Sequence, residues 1–224
     1  MNYIATQEET MRSFIVVVLG IGLTIPCAIQ ARPVSYPDGW TVMVMNDGAR
    51  NTAHIHYSPS ARVSLGYKFE YWQDQDFYIN AVQVNNLIQR WNRPESQANF
   101  YLKSGLGIAT SRAGATDGES DVAGFVGLAL DWEDRRYFVS YENRYTEARG
   151  IDDFFRQSAR LGWAPYEGDY GDLHTWLMIQ VEHTPEAEHN ITVTPLVRLF
   201  KDVHLLEAGI NDRGEILFNY IFRY

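Results

Sequence analysis

The chain has 224 residues, a formal net charge of −9 and a single cysteine, Cys27. An acidic protein repels the phosphate backbone of nucleic acids, so we expect no nucleic acid among its partners. A lone cysteine excludes an intrachain disulfide, so other interactions must hold the fold together.

The first patterned segment is a short apolar run, residues 14–25, which follows a basic residue. It is too short to span a bilayer comfortably and is typical of a secretory signal peptide. Residues 1–10 carry two glutamates and no basic residue, which favours Met11 as the true start of translation. Cleavage is expected after Ala31, which leaves a mature chain with 18 basic and 26 acidic residues, a charge of −8 and no cysteine.

The predicted organisation has three parts. Residues 1–31 form the signal peptide, residues 32–39 form an irregular periplasmic lead-in with two prolines, and residues 40–224 form a single β-barrel domain. Beyond the signal peptide, the sequence contains nothing close to the roughly 20 consecutive apolar residues of a transmembrane helix. Any further membrane-spanning segments must therefore be strands.

From Trp40 onward, hydrophobicity alternates with a period of two and is interrupted by turn residues at the spacing of barrel hairpins. An even number of strands places both termini on the periplasmic side. Ten strands are the alternative to twelve, because the first hairpin is the least regular. The twelve predicted strands are Trp40 to Asn46, Asn51 to Tyr57, Arg62 to Trp72, Phe77 to Arg90, Ala98 to Thr110, Asp121 to Trp132, Arg136 to Tyr145, Phe154 to Ala164, Leu173 to His183, Asn190 to Phe200, Val203 to Ile210 and Glu215 to Tyr224.

The third predicted strand shows the two faces most clearly, with large apolar residues from Val63 to Tyr71 alternating with Ser64, Gly66, Lys68 and Glu70. One face suits lipid and the other suits a polar interior. In the fifth strand, small inward residues such as Gly105 leave room for longer side chains across the lumen. The fourth strand is less regular, and we predict a β-bulge near Asn85.

Turns and aromatic residues indicate the orientation. The turns at residues 58–61, 133–135 and 201–202 are tight, as periplasmic turns are, whereas residues 111–120 are typical of an extracellular loop. Aromatic residues near strand ends are expected at the lipid headgroups. These are Trp40, Trp72, Trp132, Trp163, Tyr71 and Tyr137.

The final strand carries four aromatic residues on one face, Phe218, Tyr220, Phe222 and Tyr224. In water this face would be an aggregation-prone edge, whereas a lipid bilayer would cover it. Here the sequence resembles the bacterial outer-membrane β-barrel proteins, whose chains typically end in an alternating strand closed by an aromatic residue, often Phe. The resemblance implies an all-β, antiparallel up-and-down transmembrane barrel in the outer membrane, exported by a cleaved signal peptide and inserted by the barrel-assembly machinery.

A soluble secreted β-sandwich or lipocalin-like barrel also has alternating strands and stays open as an alternative. The aromatic final strand, the large apolar residues on the second face and the absence of cysteine in the mature chain favour the membrane. A soluble antiparallel barrel would need a polar outer face.

With the apolar faces toward lipid, twelve charged residues are predicted to line the lumen. In one interpretation, these residues form cross-strand ion pairs that fill the interior, as expected of a structural or accessory barrel or of a narrow channel. In the other, they leave an open pore. An excess of basic residues, densest at Arg144, Arg156 and Arg160, would favour small anionic solutes. The predicted lumen-lining residues are Lys68, Glu70, Lys103, Asp131, Glu142, Arg144, Arg156, Arg160, Glu182, Arg198, Glu207 and Arg223.

Catalytic signatures are weak. The Gly-x-Ser-x-Gly motif is absent, and no serine, histidine and aspartate grouping stands out. Glu142 and Glu182 are a possible carboxylate pair, but each is predicted to lie near an inward arginine. We therefore expect no enzymatic activity, no catalytic residues and no cofactor, with a membrane-embedded hydrolase or acyltransferase as a low-priority alternative.

One candidate metal site remains as a low-priority alternative to the expectation that the protein binds no metal. If the first hairpin pairs Met43 with His54, then Met43, Met45, His54 and His56 all point into the barrel. Thioether and imidazole groups together suit copper. A register shift of one residue would turn both histidines outward and destroy the site.

Overall fold

The computed structural model describes residues 34–169 and 171–224. The predicted signal peptide and the first two residues of the predicted lead-in lie outside the described residues. Among the described residues, no helix is long and apolar enough to cross a membrane.

The chain forms a closed antiparallel barrel in which each strand pairs with its sequence neighbours and β12 pairs with β1. The first hairpin is therefore part of the barrel, and the twelve-strand prediction is confirmed over the ten-strand alternative. The strands are β1 (Gly39–Asn46), β2 (Arg50–Ser60), β3 (Val63–Trp72), β4 (Phe77–Asn92), β5 (Ser96–Ser111), β6 (Ser120–Asp134), β7 (Tyr137–Ala148), β8 (Asp152–Trp163), β9 (His174–His183), β10 (Ile191–Lys201), β11 (His204–Ile210) and β12 (Ile216–Arg223).

The outer surface is apolar and the inner surface is polar. On β3, Tyr67 is 47% exposed on the outside, whereas Lys68 and Glu70 are buried inside. On β12, Phe218 is exposed and the next residue, Asn219, is buried. The period-two alternation of these strands therefore predicted their faces, because successive side chains of a strand point to opposite sides.

Two local predictions were wrong. The irregularity of β4 lies at Ile88, where the pairing with β5 skips one residue, and not near Asn85, which stays in regular register. Trp72 is 2% exposed and packs inside the barrel against Phe154, with ring centroids 4.5 Å apart, so it is not a headgroup aromatic. Trp72 is separated from Lys68 and Glu70 by even numbers of residues along β3, so its side chain points to the same, inner face.

The connections differ between the two ends. The tight turns predicted as periplasmic lie at the end that carries both termini, and the loop of residues 112–119 lies at the opposite end. The longest connection, from the end of β8 at Trp163 to the start of β9 at His174, is at the end with the termini, as the predicted strand bounds implied.

The strands are unequal in length. β4 and β5 have 16 residues each, whereas β11, β12 and β1 have 7, 8 and 8. We call β11, β12 and β1 the closing strands. Backbone hydrogen bonds join the start of β1 to the last residue, from the Trp40 amide to the Tyr224 carbonyl at 2.7 Å and from the Tyr224 amide to the Trp40 carbonyl at 3.1 Å.

The segment before β1 folds into the barrel mouth. Val34 is 1% exposed and packs in a cluster with Leu87, Tyr101 and Ala129, which project inward from β4, β5 and β6. The Ser35 amide donates a hydrogen bond to the Ser58 hydroxyl at 3.1 Å. This lead-in therefore narrows the end of the lumen that carries the termini.

Candidate functional site: the charged lumen

The barrel encloses a cavity of about 240 Å³. Among the described residues, seven basic and five acidic side chains contribute to its wall. They are Arg50, Lys68, Lys103, Arg144, Arg156, Arg160, Arg198, Asp47, Asp131, Glu142, Glu182 and Glu207. Ten of these twelve were predicted from the sequence. The other two predicted residues, Glu70 and Arg223, are also buried inside the barrel but do not line this cavity.

The most buried of the predicted lumen charges is Glu70, which is 1% exposed. Arg144 crosses the lumen from β7 and donates to both carboxylate oxygens, at 2.7 and 2.6 Å. Lys68 and Arg50 lie 2.9 and 3.1 Å from the Glu70 Oε1 atom. Three cations therefore share one buried carboxylate, which fixes their positions and neutralises part of their charge.

Aromatic rings support these cations from the other side. The Arg144 guanidinium lies 3.8 Å from the centre of the Phe125 ring, within the range of a cation–π interaction. Phe125 occupies the space left by Gly105, because a Cβ atom at residue 105 would lie 2.4 Å from that ring. The small inward residue thus makes room for a larger one, which comes from its direct partner on the adjacent strand β6 and not from across the lumen as the sequence predicted.

A second cluster joins the β1–β2 turn to β8 and β9. Asp47 lies 2.9 Å from Arg156 and 3.0 Å from Arg50, and Arg156 also donates to Glu182. Burial alone would raise the pKa of Asp47, but the charges of Arg156 and Arg50 outweigh it and hold this pKa below the ordinary value of 3.8. Asp47 is thus an anchor that remains ionised.

A third cluster surrounds Glu207 on β11. Arg198 lies 2.6 Å from Glu207, Arg160 lies 3.1 Å from it, and the Asn219 amide donates to it at 2.6 Å. A separate ion pair joins Lys103 to Glu142 at 2.7 Å, so Glu142 is held by a lysine and not by an arginine as expected. Glu182, in contrast, is held by Arg156.

The predicted positive patch of Arg144, Arg156 and Arg160 is therefore not a row of free guanidinium groups. Each of the three is bound to a carboxylate of another strand or turn. Sequence reasoning missed Asp47 and Arg50 as lumen residues. Arg50 has the same parity as His54 and His56, so alternation along β2 could have identified it.

The candidate copper ligands share the inner face of the first hairpin. Met43 pairs directly with His54, and Thr41 pairs with His56. Met43, Met45 and His54 line the cavity, and His56 is fully buried beside His54. The structure thus has the register on which this candidate depends. Metal binding by these residues stays a prediction.

Apolar clusters restrict the lumen at both ends. Near the end opposite the termini, Trp72, Phe77 and Phe154 belong to a buried apolar cluster that further residues from β4, β5, β6 and β7 complete. At the other end, Val34 packs into the mouth. The charged cavity therefore lies between two narrowed ends.

A closed twelve-stranded antiparallel barrel with an apolar outside and a charged inside is the architecture typical of transmembrane β-barrels of the outer membrane. No protein-family model and no curated protein matches the sequence. Among solved structures, the chain is similar to LpxR from Salmonella typhimurium, with a TM-score of 0.47 and 8% identity, over 83% of this chain and 99% of that chain.

This similarity corrects one expectation. LpxR is an outer-membrane lipid A deacylase, so the expectation of no enzymatic activity is not retained. At this identity and TM-score, the similarity assigns no activity and no catalytic residue to this chain.

Proposed function

We propose that the protein is a narrow solute channel of the outer membrane whose lumen charges are held in ion pairs and favour small anions. In this proposal, residues 1–31 are removed as a signal peptide, and the barrel-assembly machinery inserts the mature chain into the lipid.

The observation that carries the proposal is the charged wall of the internal cavity. A barrel filled only for stability would be expected to bury apolar side chains at its centre, because exchanging buried ion pairs for well-packed apolar residues is often neutral or stabilising. Seven basic and five acidic side chains around one cavity are best accommodated if the cavity holds water. The basic excess favours anions in passage.

Conductance across planar lipid bilayers tests the proposal. Purified protein should give discrete steps, and a salt gradient should give a reversal potential that favours the anion. A bilayer that stays silent with correctly folded protein would overturn the channel proposal and favour a structural or accessory barrel.

The ion pair of Lys103 and Glu142 offers a matched pair of variants, since both side chains reach the cavity and join at 2.7 Å. Lys103→Gln removes a positive charge and should shift the reversal potential toward cations. Glu142→Gln removes a negative charge at the same depth and should shift it toward anions. Shifts in the same direction would contradict the assignment of this pair to the permeation path.

A further inference from the structure

Two buried histidines on β2 have ring nitrogens without hydrogen-bond partners. His54 is 6% exposed and His56 is fully buried, and their ring centroids are 4.8 Å apart. The Nε2 atom of His54 and both ring nitrogens of His56 have no partner among the described residues. Buried polar atoms are almost always paired, so these nitrogens require an explanation such as a bound ion.

The partner strand brings thioether groups to the same place. Met43 on β1 lies directly opposite His54, and directly opposed residues of an antiparallel pair have Cβ atoms roughly 5 Å apart. Met45 lies on the same face, two residues further along β1. Met43, Met45 and His54 all line the cavity, so an ion could reach them from the lumen.

The surrounding charges limit which ion fits. Lys68 pairs with His54 across β2 and β3, and Arg223 pairs with Thr41 beside His56. The Lys68 charge is balanced by Glu70 at 2.9 Å, and that of nearby Lys103 by Glu142 at 2.7 Å. Asp47, the carboxylate in the turn of this hairpin, is bound to Arg156 at 2.9 Å and to Arg50 at 3.0 Å. With basic neighbours and every nearby carboxylate already in an ion pair, a low ionic charge is favoured over a divalent one.

The donor atoms select the same kind of ion. Among the described residues, no group of three or more His, Cys, Asp or Glu could hold a metal ion, which argues against a zinc site or an oxygen-ligated site. Neutral imidazole and thioether groups are soft or intermediate donors, and thioethers suit Cu(I).

We infer that the β1–β2 hairpin holds a Cu(I) site on the wall of the lumen, with Met43 and His54 as ligands and with Met45 and His56 completing the donor set. The site is independent of the proposed channel, because a barrel that is silent in bilayers can still bind the ion.

Binding of Cu(I) itself tests the inference. Folded protein in detergent, kept anaerobic with a reductant, should take one Cu(I) per barrel from a chromophoric chelator. X-ray absorption at the copper edge should show both sulfur and nitrogen ligands. Met43→Leu and His54→Gln should each weaken binding by at least about tenfold, the lower end of the loss seen even for residues that only support a metal ligand.

The matched control is Met178→Leu, because Met178 is a buried methionine in an apolar cluster on β9. It should bind Cu(I) like the unmodified protein. A change in gel mobility between unboiled and boiled samples in detergent, which folded outer-membrane barrels usually show, reports whether each variant is folded. If His54→Gln does not fold, the nearly isosteric Met43→Leu decides the test. Failure to retain copper against the chelator, equal loss in Met178→Leu, or a spectrum without sulfur would overturn the site.

Discussion

Replacing Glu70 by glutamine is the sharpest test of the charge network inside the barrel. The change keeps the shape of the side chain but removes the negative charge that Arg144, Lys68 and Arg50 share. These three cations would then face one another in a region where the Glu70 side chain is 1% exposed. Water reaches this position poorly and would replace little of the lost interaction.

The structure sets the expected loss in the free energy of unfolding. Removing one partner of a buried, hydrogen-bonded ion pair costs about 3–5 kcal/mol, because the remaining charge is left uncompensated. Glu142→Gln is the comparison, since the Glu142 side chain is 44% exposed and has Lys103 as its ion-pair partner. An exposed pair of that kind contributes about 0–1 kcal/mol. The two variants should therefore differ by roughly 2–5 kcal/mol.

The assay is equilibrium unfolding in denaturant, starting from protein refolded into lipid vesicles and followed by tryptophan fluorescence. The double variant Glu70→Gln with Arg144→Gln should recover part of the loss, because it removes one of the unpaired cations. If Glu70→Gln is no less stable than Glu142→Gln, water compensates the buried charges and the reasoning about a dry ion-pair cluster fails.

Three further predictions use the same unfolding assay. Leu106→Arg should destabilise the barrel by about 2–4 kcal/mol, because Leu106 is 67% exposed on the lipid-facing side of β5; a neutral result would contradict a lipid-covered outer face. Trp72→Ala should cost about 3–5 kcal/mol through the cavity left beside Phe154, and a loss below about 1 kcal/mol would show that Trp72 is not packed. Asp47 has a lowered pKa, so its stabilisation is complete above pH 3.8 and is lost as the pH falls through the folded-state value. Asp47→Asn should therefore be less stable near neutral pH and lose less stability on acidification, and an unchanged pH dependence would contradict the anchoring role of Asp47.

Alternation predicted most of the fold because it is a local property. The faces of β3 and β12 follow from side chains that point to opposite sides at successive residues. The β4 bulge could not be located in the same way, since it depends on how β4 pairs with β5. Trp72 was misassigned because closeness to a strand end was given more weight than parity.

The contacts of the lumen depend on closure of the barrel. Arg144 and Glu70 are separated by 74 residues, and only the curvature of the sheet brings them within hydrogen-bond distance. The sequence could indicate that both face inward, but not that they meet. Packing of Val34 into the mouth was also beyond prediction, because an irregular segment with prolines has no periodic pattern.

The unequal strand lengths have a consequence for the surrounding lipid. A strand of 8 residues, such as β12, extends about 27 Å, and at a tilt of about 40° it covers only about 21 Å along the membrane normal. The apolar band of such barrels is about 25 Å tall, and a strand of 16 residues exceeds it under the same geometry. The bilayer beside the closing strands should therefore be compressed by several ångströms. Molecules that prefer thin or disordered lipid would gather on that side, so they would be distributed unevenly around the barrel in the plane of the membrane.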